Sequence, residues 1–315
     1  MKALKISTQK NISGICYRES AFSKDNTPME IDQKIQDMIR NKNTQIPTLP
    51  VIVEKILSIA RQDNTSAKDL AEFISRDPAI ANKVLRLSNS AYYGMMKEID
   101  TIPRAITIIG FNEVVSLTIG MSVVSAFSGK DSGNKFNMKG LWIHSLACGF
   151  SARTTASKLG IKQAEQIFIS GLLHDMGKIV FALYFPDEYV EALEYSKENE
   201  LYLYKSEKQT LGVDHAILSG LLMERWNFPD SILLPSRYHH AVDQCPPKYL
   251  KLALIIALSD YISQKAEFGE NWAAKMPGIL KILDRLGLTK AYVEEAVEDM
   301  KSQKDEIEAF FEVMK

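Results

Sequence analysis

Almost no stretch of this 315-residue chain alternates apolar and polar residues with the two-residue period of a strand, whereas helical spacing recurs along most of it. Residues 51–61 set Ile52, Val53, Ile56, Leu57 and Ala60 on one helical face. Ser66 stands before AKDLAEFIS as an N-cap, and Pro78 opens AIANKVLRLSNS as a first-turn proline. TIPRAITIIGF and NEVVSLTIGMSVVSAF continue the rhythm. The expectation is an all-α fold, and the length is enough for two subdomains.

The chain divides by composition. Residues 1–45 are a polar extension with one short helix expected near residues 31–40. Residues 46–128 form an N-terminal helical lobe, and the Gly-, Ser- and Asn-rich stretch SGKDSGNKFN over residues 128–137 reads as a linker. A second lobe over residues 138–265 carries helices expected near 138–159, 163–175, 186–198, 215–227, 230–241 and 248–265. Residues 266–315 are a tail. From Thr289 it reads as one charged amphipathic helix with Val293, Met300, Ile307 and Met314 at seven-residue spacing. That stripe fits either a homodimer seam or docking on its own domain.

A 46% apolar and 24% charged composition with a formal net charge of −1 gives no electrostatic reason to expect nucleic acid or an anionic membrane as partner. The opening MKALKISTQKN lacks the apolar core of a signal peptide, and apolar runs such as residues 252–258 are too short to span a bilayer. Cys16, Cys148 and Cys245 read as reduced cytoplasmic thiols.

All five histidines, His144, His174, His215, His239 and His240, fall in the second lobe. Asp175 and Asp260 lie there inside apolar helical runs, where a buried carboxylate costs several kcal/mol unless it is paired or bound to a cation. Imidazole and carboxylate together make the usual ligand shell of Fe, Mn, Zn and Ni. Each residue also has a plainer reading. His144 suits a hydrogen-bonded core position, with Cys148 one turn on as a small buried side chain. His174, His239 and His240 suit helix C-termini, and His215 a first turn beside the cap Asp214. Neighbours on a helix diverge by about 100°, so His174 and Asp175 converge only if the helix end is distorted, which Gly177 permits. In SNSAYYGMM, Tyr92 and Tyr93 read either as an interaction surface or as packing across the lobe boundary.

The order His144, His174–Asp175, Asp260 resembles the H…HD…D signature of the HD superfamily of metal-dependent phosphohydrolases. His215 and the His239–His240 pair are similar to the extra histidines of its HD-GYP branch, which hydrolyses cyclic di-GMP. IPTLPVIVEKIL, DLAEFISRDPAIANKVLRLSNSAYYG and TIPRAITIIGFNEVVSLTIG are similar to the opening of HDOD domains, the HD-related output domains of bacterial signalling. The resemblance covers residues 46–260 and implies a helical lobe followed by an HD-like lobe. It implies a regulatory protein with a retained metal site, or else an active metal-dependent phosphohydrolase acting on a nucleotide-like phosphodiester. One or two divalent transition metal ions (Fe, Mn, Zn or Ni) are implied: His144, His174, Asp175 and Asp260 would hold the first, and Asp175 would bridge to a second held by His215, His239 and His240. Asp175 and Lys178 would be catalytic, the lysine neutralising a phosphate oxygen. Partners would be signalling proteins or a nucleotide-type ligand. HHAVDQCPPKY replaces a GYP-type motif after His240, and Gly140 stands where three-metal relatives carry a glutamate, so no third ion and little cyclic di-GMP turnover are expected.

Overall fold

The computed structural model describes residue 35 and residues 49–60, 66–127, 136–162, 164–269 and 278–315. Among them every regular element is helical and no strand occurs. The helix expected near residues 31–40, Ile35 apart, lies outside the described residues, as do Cys16 and most of the expected linker.

The N-terminal lobe is built from α1 (Val51–Ala60), α2 (Ala67–Ser75), α3 (Pro78–Ser88), a 3-10 turn at Ala91–Tyr93, α4 (Ile102–Ile109) and α5 (Phe111–Phe127). Local chemistry sets its helix starts. The Ser66 hydroxyl accepts from Asp69 N–H at 3.2 Å while Asp69 accepts from Ser66 N–H at 2.9 Å, a reciprocal capping box. Asp77 caps α3 by accepting from Ala79 and Ile80, with Pro78 in the first turn, where its missing N–H costs nothing. Helix α5 is buried round nearly its whole circumference. It packs on α1 and on α7, and the buried side chains on both sides of it belong to one continuous core.

The second lobe comprises α6 (Met138–Lys158), α7 (Ala164–Leu173), α8 (Met176–Tyr184), α9 (Pro186–Glu198), α10 (Leu203–Thr210), α11 (His215–Arg225), α12 (Asp230–Arg237) and α13 (Pro247–Lys265). Helices α6 and α7 are pressed together where a Cβ on Gly171 would lie 2.7 Å from the Cα of Gly149. Only paired glycines allow that approach, and it brings His144 and His174 to one end of the crossing. Three elements differ from the sequence reading. The run after His174 restarts as a separate helix, α8, and the polar segment LYKSEKQT forms α10. The helix expected over residues 230–241 stops at Arg237. The segment Gln166–Tyr184 has the length and apolarity of a membrane span, but it is mostly buried within the fold and is broken at His174–Asp175.

The tail is three helices, α14 (Ile279–Leu286), α15 (Lys290–Ser302) and α16 (Lys304–Met314), rather than one continuous amphipathic helix from Thr289. Its heptad stripe is used within the chain: Met300, Ile307 and Met314 are buried, and α16 lies across α3, α5, α6 and the 3-10 turn. Tyr92 and Tyr93 are also turned inward. Tyr92 stacks on Phe150 of α6 at 3.9 Å between ring centroids, and both rings face Phe310 of α16. Arg153 of α6 bonds to Glu113 of α5 and to the Tyr92 hydroxyl, and the Tyr93 hydroxyl donates to Glu113.

Candidate metal centre

Helix α7 ends at Leu173 and α8 begins at Met176, so His174 and Asp175 sit in the break between them. There they escape the 100° divergence of helical neighbours. Gly177 makes the break possible: a Cβ there would come within 2.2 Å of the His215 carbonyl oxygen, and its N–H donates to Ser219 at 2.8 Å. The first turn of α8 therefore lies directly on the first turn of α11. His144 comes from the middle of α6 and Asp260 from the middle of α13. His239 and His240 follow the end of α12 in a turn.

These side chains converge. His144 Nε2 is 3.0 Å from Asp260 Oδ1 and 3.6 Å from Asp175 Oδ2. His174 Nε2 is 3.3 Å from Asp175 Oδ2 and 3.7 Å from Asp260 Oδ1. On the other side, His215 Nε2 is 3.1 Å from Asp175 Oδ1 and 2.9 Å from His240 Nε2. The Asp175 carboxylate thus lies between two groups of imidazoles, one oxygen toward each. In each of three overlapping donor sets, His144–His174–Asp175, His174–His239–Asp260 and His215–His239–His240, the ligand atoms lie within 4.8 Å of one another.

The rings are held from behind. His174 Nδ1 lies 2.6 Å from the Gly171 carbonyl and His239 Nδ1 2.6 Å from the Ser236 carbonyl. A carbonyl only accepts, so both rings carry a proton on Nδ1 and turn Nε2 toward the cluster. His144 Nδ1 faces the Ser263 hydroxyl at 3.3 Å. His215 Nδ1 lies 2.5 Å from Glu207 Oε2, which also accepts from the His215 N–H at 2.9 Å. Rings locked through one nitrogen so that the other points inward are the arrangement found behind metal-ligating histidines.

Burial and neighbours set the charges. Burial alone would raise both carboxylates, but His174, Lys178 and His215 hold Asp175 well below its usual range, and the neighbouring His144 and His174 do the same for Asp260. Burial would lower His215, yet the Glu207 carboxylate outweighs it and raises the imidazole to about 9. His239 has no such partner: burial, then the neighbouring His174 and His215, push it down to about 3. Lys178, itself buried, places Nζ 2.6 Å from Asp175 Oδ2 and so neutralises that carboxylate.

The donor set fits a cation. His174 Nε2, His239 Nε2 and Asp175 Oδ1 are buried with no hydrogen-bond partner among the described residues. Each such atom costs about 1–3 kcal/mol if left unmet, and all three face the same cluster. A cleft of about 750 Å³ opens on it, lined in part by His239, His240 and Asp260.

All seven candidate ligands are brought together in the fold. Lys178 reaches Asp175 and does not line the cleft. Glu207 was missed from the sequence because its helix was not read. The one available signal is its position eight residues before His215. Cys148 is buried beside His174, and burial raises its thiol.

A model of the HDOD domain matches residues 46–242. The chain belongs to the HDOD family. Its fold is similar to a Geobacter sulfurreducens HDOD domain protein of unknown function, with a TM-score of 0.74 and 19% identity, covering 88% of this chain and 97% of that one. It is also similar to a candidate phosphohydrolase of Shewanella amazonensis SB2B (TM-score 0.69, 23% identity, 89% and 97% covered). A candidate signal transduction protein of Marinobacter aquaeolei VT8 gives a TM-score of 0.72 at 22% identity, with 92% and 67% covered. An uncharacterized protein of Treponema pallidum (strain Nichols) is 25% identical over 228 residues, and this HDOD chain spans 44% of that relative's length.

Proposed function

We propose that this HDOD protein is a signalling module whose second lobe binds divalent transition metal, one or two ions per chain. The observation that carries the reading is the Asp175 carboxylate, set between two groups of imidazoles with one oxygen toward each. On this reading His144, His174, Asp175 and Asp260 hold one ion, and Asp175, His215, His239 and His240 the other. The protein acts in the cytoplasm on signalling partners or a nucleotide-type ligand, without nucleic acid or membrane.

A second reading, phosphoester hydrolysis, is favoured by the cleft over the same donors. The names of two structural neighbours, one a signal-transduction candidate and one a phosphohydrolase candidate, divide the same way. Bound divalent ions would supply Lewis acidity toward a phosphoryl oxygen. The chain's own contribution is positioning. Glu207 and the carbonyls of Gly171 and Ser236 fix the rings, Lys178 steadies Asp175, and burial keeps bulk water from the carboxylates.

The test is elemental analysis of tag-free protein purified with and without oxygen, followed by a phosphodiester screen with added Mn or Fe. Wild type should carry one to two ions and Asp175→Ala should lose most of them; metal-free wild type under both conditions overturns the proposal. If the centre hydrolyses, Asp175→Ala abolishes turnover and Lys178→Ala lowers kcat by roughly 10²–10³. Equal residual activity in all three proteins removes the hydrolytic reading and leaves the signalling one.

A further inference from the structure

We propose that the cleft takes a nucleotide carrying a second anionic group, and that α14 reads that group through Lys281 and Arg285. The proposal rests on the metal-centre reading and adds the ligand. The cleft's volume of about 750 Å³ lies within the range of roughly 300–1,000 Å³ usual for small-molecule sites. A phosphate group alone at the metal donors would leave most of it unfilled.

The lining is of two chemistries, aromatic and cationic. Near the metal donors a stacked aromatic row begins, with Tyr204 over His240 at 4.5 Å and 16° between rings, and Tyr202 over Tyr204 at 5.9 Å and 27°. With Tyr261 of α13, these rings give the cleft flat apolar area and hydroxyl donors of the kind a base and sugar need. Another part of the wall is α14, which lies outside the residues matched by the family model. Its Lys281 and Arg285 are four residues apart, hence on one helical face, and both line the cleft. Arg285 reaches Asp243 at 2.6 Å across the lining. That pair is exposed, with the Asp243 side chain 86% accessible, so it is worth little. A phosphate, which accepts a guanidinium bidentately, can displace it. A second anionic group would give Lys281 and Arg285 a counter-charge inside the cleft.

Calorimetric titration of the metal-loaded full chain with ADP, GDP, AMP, GMP and inorganic phosphate tests the proposal. The diphosphates should bind about tenfold or more tightly than the monophosphates. Lys281→Ala/Arg285→Ala should bring diphosphate affinity down to the monophosphate level, with metal content and AMP affinity unchanged. Asp243→Asn, which frees Arg285, should tighten diphosphate binding severalfold. Equal affinity for mono- and diphosphates, or wild-type ADP and GDP affinity in the double variant, overturns the proposal. Unchanged diphosphate affinity in Asp243→Asn overturns the role given to Arg285. Protein that holds metal and binds inorganic phosphate but no nucleotide defeats this inference alone; protein that holds no metal defeats the metal-centre reading with it.

Discussion

Glu207 is fully buried, and one of its oxygens serves both the backbone N–H and the Nδ1 of His215. A carboxylate in that position orients the ring and raises its basicity, which strengthens it as a ligand. Glu207→Gln keeps an acceptor but removes the charge. Metal affinity should then fall about 10–100-fold by chelator competition, and in metal-free protein the His215 imidazole should titrate below its value of about 9. An unchanged affinity and titration would dismiss Glu207 as a determinant of the site. Among the perturbed histidines, His174 and His215 are raised while His239 and His240 are lowered, which sets opposite pH responses in metal-free protein. His239, held near 3 against an unfolded value of about 6.5, contributes stability present above pH 6.5 that is lost as pH falls toward 3. His215, raised to about 9, contributes stability present below about 6.5 that is lost as pH rises through 9. Thermal melts of the stripped protein should therefore be highest near pH 6.5. Metal affinity should instead climb with pH through about 9, because the ion must displace the His215 proton. A pH-independent affinity across that span would contradict the charge state assigned to His215.

At the scale of elements, the break between α7 and α8 creates the site, and Gly177 permits it. Gly177→Ala would drive a methyl into the His215 backbone, where the neighbours are carbonyl and Cα atoms that cannot rotate aside. A destabilisation of roughly 1–3 kcal/mol, the usual cost of overpacking, should come with partial loss of metal from the His215 side. Full metal occupancy at wild-type stability would show that the α8–α11 contact is looser than drawn. The same break marks how far the sequence could be read. Helical period and caps such as Ser66 and Asp77 were legible because they act within a few residues. The histidine and aspartate set was legible because ionisable groups are conspicuous in apolar runs. Helix α10 was not, since LYKSEKQT shows no clean apolar stripe, and Glu207 went unread with it. The split of the tail was hidden by its seven-residue stripe, which runs unbroken in sequence across the turn between α15 and α16. Nor could the inward facing of Tyr92 and Tyr93 be read locally, because their partners Phe150 and Phe310 are distant in the chain.

Across the whole molecule, three features join the lobes: the shared helix α5, the Arg153–Glu113–tyrosine cluster, and α16. Glu113 is buried, so Arg153→Ala should cost about 3–5 kcal/mol, much of it the penalty of an unpaired carboxylate. Arg153→Met combined with Glu113→Leu should recover part of that in urea melts, since an apolar pair of similar volume removes the unpaired charge but takes away the partners of the Tyr92 and Tyr93 hydroxyls. Failure to recover would mean that the cluster specifies the packing of the lobes as well as satisfying a charge. Helix α16 contributes on a larger scale. Ile307, Phe310, Phe311 and Met314 are all buried against the N-terminal lobe and α6, and Lys83 of α3 donates to the Met314 and Lys315 carbonyls at 3.3 and 2.6 Å. At about 1.5–3 kcal/mol for each buried side chain, the four together are worth roughly 6–12 kcal/mol as an upper bound. That is comparable to the entire stability of a domain, about 5–15 kcal/mol. Deleting residues 304–315 should therefore abolish the cooperative thermal transition of the N-terminal lobe and expose Tyr92 and Tyr93 to solvent. Circular dichroism melts with tyrosine fluorescence would follow both changes. A truncated chain that melts within a few degrees of the full chain would mean that the N-terminal lobe closes its own core, leaving the α16 contact peripheral.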